Sequence, residues 1–345
     1  MLERVRFTIY MQEMNMIDGY NRDISYLRVS ITDRCNLRCQ YCVPKEGLSR
    51  VGHDDILRYE EIIRIVMVAV KMGIRKVRIT GGEPLVRRGV VDFIATLNLI
   101  DGLEDISLTT NAVLLEETAE RLYQAGVRRI NISLDSLDPG KYKEITRGGN
   151  LEAVLRGIQK AHEVGFQPIK INVVTIQGFN DDEALQFAEL TMDRPYQVRF
   201  IELMPFGFAG MESLGKHLPN DDLKERINRR YTLEISPKAR SQNDGPADLY
   251  RIRGGQGEIG FISPLSHQFC STCNRLRLTS SGRLRACLLL DDEIDVLSPL
   301  REGCTNQELA GLLQLAVTKK PVTHDLNIEE RHMKKCLTEM TSIGG

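Results

Sequence analysis

Cys35-Asn36-Leu37-Arg38-Cys39-Gln40-Tyr41-Cys42 is the stretch on which the reading of this chain turns. Its spacing, C-x₃-C-x₂-C, supplies three thiolates and not four. Structural zinc is ordinarily closed by four protein ligands. Three thiolates on a cubic iron–sulfur cluster leave one iron without a protein ligand, open to a small molecule. The competing reading is a zinc knuckle with a distant fourth ligand. Tyr41 directly before the last cysteine, and Gly81-Gly82-Glu83-Pro84 downstream, favour the cluster.

Outward from this stretch, short segments rich in Val, Ile and Leu alternate with amphipathic ones. Strands are expected at 25–32, 75–80, 105–110, 127–134, 168–175 and 196–203. Helices are expected between them, at 58–72, 88–99, 115–125, 151–164 and 181–192. Helix 58–72 places Ile62, Ile63, Val66 and Val70 on one stripe, with Gly73 as its C-cap, and Asp181 is assigned as an N-cap. Such alternation predicts an α/β protein, a parallel sheet wrapped by helices, and six units make a partial barrel. Residues 1–22 read as an extension, including Met11, Met14 and Met16 without periodicity. Residues 23–235 read as the barrel, and 236–345 as a C-terminal region. Residues 205–225, with Pro205, Gly207, Gly210 and Pro219, are irregular. Strands are expected at 249–253 and 258–262 within a loop-rich stretch, and a helix at 306–318.

The strands carry an unusual second phase. Arg28, Ser30 and Thr32 alternate with apolar residues, as do Arg78 and Thr80, then Asn131, Ser133 and Asp135, then Lys170 and Asn172, then Arg199. In a helix-covered parallel sheet the apolar phase faces the helices, so this polar phase points into the barrel. A closed barrel fills that space with Val, Ile and Leu. Four unpaired buried cations would cost several kcal/mol each. The lumen is therefore expected to be open, wet and suited to a polyanion.

Cys270, Cys273 and Cys287 form a second trio, C-x₂-C-x₁₃-C. Cys304, Cys336 or His267 could supply a fourth ligand, so zinc competes here. Between the cysteines, Arg275 and Arg277 share one face of a strand. A structural zinc knuckle has no use for that pair, whereas an anion held against the metal does, and the guanidinium fork suits phosphate. Arg283 and Arg285 read either as the same device or, in preference, as a solvated turn.

The bulk numbers fit. With 345 residues, 42% hydrophobic, a sizeable core is available. The net charge of −1 offers no bulk field toward nucleic acid or an anionic membrane. No apolar run reaches membrane-spanning length. The charged start lacks a signal-peptide pattern, which points to a reducing cytoplasm. Eight cysteines are then metal ligands and free thiols.

The first trio resembles the radical S-adenosylmethionine (SAM) superfamily, in which the open iron chelates SAM and an electron passed to the sulfonium yields a 5′-deoxyadenosyl radical. With Arg199-Phe-Ile-Glu-Leu-Met-Pro and Phe269-Cys-Ser-Thr-Cys-Asn-Arg-Leu-Arg-Leu added, the chain from about 22 to about 300 resembles the GTP 3′,8-cyclase family of molybdenum cofactor biosynthesis. The resemblance implies an incomplete (β/α)6 TIM-like barrel with a C-terminal extension carrying a second 4Fe–4S cluster. Cys35, Cys39 and Cys42 would hold the SAM cluster, and Cys270, Cys273 and Cys287 the other. Tyr41, Gly82, Ser133 and Met204 would contact SAM, Gly82 by letting it approach the backbone. Arg28, Arg78, Thr109, Lys170, Arg199, Arg275 and Arg277 would contact GTP, with its base on the second cluster. No catalytic side chain beyond the cluster and SAM is implied. Hydrogen abstraction from the ribose 3′ carbon and attack on guanine carbon 8 would give 3′,8-cyclo-7,8-dihydro-GTP. The terminal Gly344-Gly345 resembles a tail that reaches the active site. Implied partners are GTP, an electron donor such as flavodoxin or ferredoxin, a downstream cyclic pyranopterin monophosphate synthase and a second copy of the chain, with no nucleic acid or membrane. The alternatives are a radical SAM peptide maturase with an auxiliary cluster and a non-catalytic zinc protein.

Overall fold

A computed structural model describes residues 16–47, 52–205, 214–237, 245–324 and 340–344. The expectations placed on Met11, Met14, Gly207, Gly210, Cys336 and Gly345 lie outside the described residues.

The six expected strands are present: β1 Tyr26–Ser30, β2 Lys76–Thr80, β3 Asp105–Thr110, β4 Arg129–Ser133, β5 Ile169–Thr175 and β6 Gln197–Glu202. They pair in parallel in chain order. Helices α1 Tyr59–Met72, α2 Val90–Leu97, α3 Leu115–Gln124, α4 Pro139–Ile145, α5 Leu151–Val164 and α6 Ala184–Glu189 run between them. Of these, α4 was not foreseen. Asp138 caps it by accepting from Lys141 N at 2.8 Å, with Pro139 at its first position.

The apolar strand phase meets the helices in one core. Leu27, Val29, Val77, Ile79, Leu108, Ile130, Ile132 and Val198 are buried there with Ile62, Ile65, Val66 and Ala69 of α1. The α1 stripe is rotated from the expected one. Ile65, Ala69 and Met72 join Ile62 and Val66 inside, while Ile63 and Val70 are only partly buried. The spacing i, i+3, i+4, i+7 places them on one face, and burying each large one contributes about 1.5–3 kcal/mol. Gly73 closes α1 at φ 127, a conformation glycine adopts without strain. The N-cap at α6 is not Asp181. Its carboxylate accepts from Gly178 N and pairs with Arg226, and a 3-10 turn leads into the helix instead.

The barrel strands do not end the sheet. Its order is β12-β11-β10-β1-β2-β3-β4-β5-β6-β9-β8-β7. Here β7 is Leu233–Ile235, β8 Asp248–Ile252, β9 Glu258–Ile262, β10 Arg275–Leu278, β11 Arg283–Arg285 and β12 Glu293–Asp295. β10 pairs in parallel with β1, and β9 with β6. The region after residue 236 therefore covers both edges of the six-stranded unit. β11 replaces the expected turn at Arg283 and Arg285 with a strand, on which Arg283 stays partly solvated and Arg285 does not. Arg285 is fully buried and pairs with Asp291 at 3.1 Å and Glu293 at 2.8 Å, and Arg283 pairs with Asp295. The tract read as irregular ends in a helix, Asn220–Arg230, whose buried apolar residues are Leu223 and Ile227.

Candidate active site

One cavity of ≈ 300 Å³ occupies the barrel, and all six clustered cysteines line it. Topology places the trios at opposite ends. Cys35, Cys39 and Cys42 follow the C-terminal end of β1. Cys270 and Cys273 precede the N-terminal end of β10, which lies parallel and in register beside β1. Cys287 follows β11, which runs antiparallel to β10 and so ends on the same side as Cys273. The strand length between the ends is about 13 Å at the usual rise per residue.

The polar phase lies between them. Arg28, Arg78, Thr109, Arg199, Arg275 and Arg277 line the cavity. Arg28 pairs in register with both Arg78 and Arg277, stacking three guanidinium residues across adjacent strands. Among the described residues Arg28 Nε and Thr109 Oγ1 are buried with no hydrogen-bond partner. Burial, and then neighbouring cations, drives Arg28 down to about 10 and Arg199 to about 9, and holds Arg78 and Arg277 below the ordinary arginine value. Desolvated cations that repel one another favour a bound polyanion. Asn172 and Asn131 fix Arg199, accepting from its Nε and Nη2 at 2.6–2.8 Å.

Lys170 is not part of this lining. It pairs with Asn131 and Gln197, one pleat period nearer the strands' N-terminal ends than the cavity residues Ser133, Asn172 and Arg199. It is buried, and desolvation together with Arg199 pulls its ammonium down to about 6.

At the first trio, Tyr41, Gly82, Ser133 and Met204 all line the cavity. Tyr41 Oη donates to Asp135 Oδ2 at 2.6 Å, and Val174 N donates to Asp135 Oδ1 at 2.8 Å. Burial raises Asp135 to about 6 against these bonds. An added Cβ at Gly82 would lie 2.4 Å from the carbonyl oxygen of Arg34. The close approach this glycine permits is thus to the cysteine loop's own backbone. Glu83 fixes the turn by accepting from Leu85 N, Thr110 Oγ1 and Asn111 N at 2.7–3.0 Å. Met204 packs beside Leu289 and Ile343.

At the second trio, none of the fourth-ligand candidates among the described residues joins in. His267 Nε2 pairs with Asp221 at 2.7 Å, and Cys304 packs against the main core; neither lines the cavity. Burial opposes ionisation of Cys273, but Arg275 and Lys320 outweigh it and lower the thiol to about 6. Gly344 enters the barrel, its carbonyl accepting from Arg277 Nη1 at 3.0 Å.

Sequence reasoning missed Tyr26 and Lys320. Tyr26 lines the cavity in phase with Arg28, under Lys76 Nζ at 4.8 Å and Arg78 Cζ at 5.4 Å from its ring centroid. That shared phase was the available signal. Lys320 had none.

Two family models match, the radical SAM superfamily over residues 29–191 and Molybdenum Cofactor Synthesis C over 196–326. A GTP 3′,8-cyclase of Moorella thermoacetica is 48% identical over 330 residues, covering 96% of this chain and 100% of that protein. The chain belongs to the GTP 3′,8-cyclase family. Within it, the cyclase of Pelotomaculum thermopropionicum is 46% identical over the same share of each chain. Among solved structures, Streptococcus suis SuiB bound to S-adenosylmethionine matches with a TM-score of 0.56 at 15% identity, covering 88% of this chain and 76% of that one. This likeness shows the radical SAM fold.

The cofactors of this GTP 3′,8-cyclase family member are two 4Fe–4S clusters and SAM, and the residues present fit them. Among the described residues no group of His, Cys, Asp or Glu is spaced to hold a single metal ion. Each trio brings three thiols to the one cavity, and three thiolates would hold a four-iron cluster with one iron free for a small molecule.

Proposed function

We propose that this chain converts GTP to 3′,8-cyclo-7,8-dihydro-GTP, the first step of molybdenum cofactor biosynthesis. The observation that carries this reading is the row of buried cations held between two three-cysteine sites in one cavity. When bound, the first cluster and SAM supply the hydrogen-abstracting radical chemistry.

The chain's own residues bind, orient and exclude water. Cys35, Cys39 and Cys42 hold one cluster; Cys270, Cys273 and Cys287 hold the other. Tyr41, Gly82, Ser133 and Met204 shape the SAM pocket. Arg28, Arg78, Arg199, Arg275 and Arg277 hold the triphosphate, with Thr109 offering its unpartnered hydroxyl. Lys170 acts from beneath this layer, its neutral amine gaining a proton as the anion arrives. Substrate held this way presents the ribose 3′ carbon toward the SAM end.

A one-electron donor such as flavodoxin or ferredoxin supplies the reducing equivalents, and a cyclic pyranopterin monophosphate synthase takes the product. The protein acts in the cytoplasm as a homodimer. Among the described residues no helix is long and apolar enough to cross a membrane. Residues 1–22, 23–235 and 236–345 are retained as functional units, the strands of the last two joining in one sheet. A peptide substrate gains support only from the general fold, and a peptide has no need of five arginines around its site.

The test is anaerobic reconstitution. About eight irons per chain and SAM-dependent loss of GTP are expected. Full iron with no GTP turnover would overturn the reading.

A further inference from the structure

We propose that Lys320 sets the reduction potential of the second cluster, through its hydrogen bond to the ligand Cys273. Lys320 lies just beyond the helix Asn306–Thr318 and is 4% exposed. Its Nζ donates to Arg275 O at 2.8 Å, Ala286 O at 2.9 Å and Cys273 Sγ at 3.4 Å. An ammonium has three N–H donors, and each is matched. The two carbonyls adjoin the cysteine sites, Ala286 directly before Cys287 and Arg275 two residues after Cys273. The ammonium therefore has one position, against the sulfur.

A second cation holds that position from behind. Arg22 donates from Nη2 to Pro321 O and from Nη1 to Cys270 O, both at 2.6 Å. Arg22 is itself buried and paired with Asp18 at 2.6 Å. The segment 320–321 is thus clamped between Arg22 and the three cysteine positions.

Reduction of a cluster adds one electron, and the negative charge spreads onto the ligand sulfurs. A buried cation donating to one of those sulfurs stabilises the reduced form more than the oxidised form, so the potential rises. The low dielectric around a buried group strengthens this. Arg275 neighbours the same sulfur, but its guanidinium faces the substrate cavity, whereas Lys320 does not line it. Lys320 is therefore a positioning residue whose effect persists without GTP.

The inference rests on the second trio holding a cluster, and the experiment separates the two claims. Full-length wild type, Lys320→Met, Lys320→Gln and Lys320→Arg are reconstituted anaerobically. Iron is counted, and each cluster is titrated by EPR without GTP, the first being assigned by its response to SAM. A wild type with only about four irons defeats the two-cluster reading itself. Otherwise, Lys320→Met is expected to lower the reduced-to-oxidised ratio of the second cluster about tenfold at fixed poise, about 59 mV for one electron. The first cluster should stay unmoved and Lys320→Arg should remain near wild type. Should Lys320→Met lose the second cluster, Lys320→Gln carries the comparison. Neutral variants with full iron and an unshifted second cluster would overturn the proposal. So would an equal shift in both clusters, or loss of the second cluster from both neutral variants, which would mark a purely structural role.

Discussion

Arg277 Nη1 and the carbonyl oxygen of Gly344 lie 3.0 Å apart in a hydrogen bond that joins β10 to the chain's penultimate residue. The same guanidinium faces the cavity and is 5% exposed. It therefore orders the tail and stands ready for an anion at once.

Arg277→Ala should weaken GTP binding at least tenfold, since a charge-assisted hydrogen bond contributes about 1.5–3 kcal/mol. Reductive SAM cleavage without GTP should remain near wild type, because the first trio lies at the far end. Calorimetry and 5′-deoxyadenosine release check the two halves. Unchanged GTP affinity would remove this arginine from the substrate site.

Gly344→Ala tests the tail separately. Gly344 has φ +81, and an added Cβ would meet Thr80 Cγ2 at 2.5 Å and Ser30 Cβ at 3.1 Å. The tail should leave the barrel. GTP turnover should fall several-fold, while the melting temperature stays close to that of the wild type.

At Gly82 the obstacle is backbone, 2.4 Å away at Arg34, which cannot rotate aside. Gly82→Ala should displace the loop carrying Cys35, costing about 1–3 kcal/mol by analogy with overpacking. SAM affinity should drop by tenfold or more in equilibrium dialysis, with second-site iron retained.

The two trios should fail independently. Cys35→Ser should reduce iron from about eight to about four per chain and abolish SAM cleavage. Cys270→Ser should leave the first cluster and uncoupled SAM cleavage in place while ending GTP conversion. Iron analysis with EPR distinguishes the two.

Lys170 predicts a pH dependence of stability. Its folded value is depressed to about 6 by burial and Arg199, below the ordinary lysine value near 10.4. The unfolded chain therefore binds a proton that the folded chain does not, throughout that window. Stability of the ligand-free protein should rise with pH from about 6 upward, by at most about 1.4 kcal/mol per pH unit from this group. Lys170→Met should be more stable than wild type, and the gain should shrink from pH 6.5 to pH 8.5 in urea titrations. A gain independent of pH would sink the assignment.

The six barrel strands and most of their helices were legible because each carries its own periodicity. So was the polar phase, since alternation along a strand fixes which side chains share a face. What escaped was pairing between distant segments. Arg275–Leu278 looks like a strand, but nothing local says that it lies beside Tyr26–Ser30. Arg285 looked solvated because its partners, Asp291 and Glu293, sit across a turn and on the neighbouring strand. Helix 220–230 was hidden by its charge, with Leu223 and Ile227 its only buried apolar residues. Lys320 is a single lysine without a pattern, and its meaning comes wholly from the cysteine strands folded over it.

Because β9 and β10 flank β6 and β1, a nascent chain that has left the ribosome only as far as residue 235 carries two raw hydrogen-bonding margins. Each is a template for adhesion to other chains. Roughly another forty residues must be synthesised before both margins are sealed, and the closure nearest the start of the chain joins segments some 250 positions apart. Protection from aggregation during biosynthesis thus arrives late, and it comes with the same segment that delivers the second set of thiols.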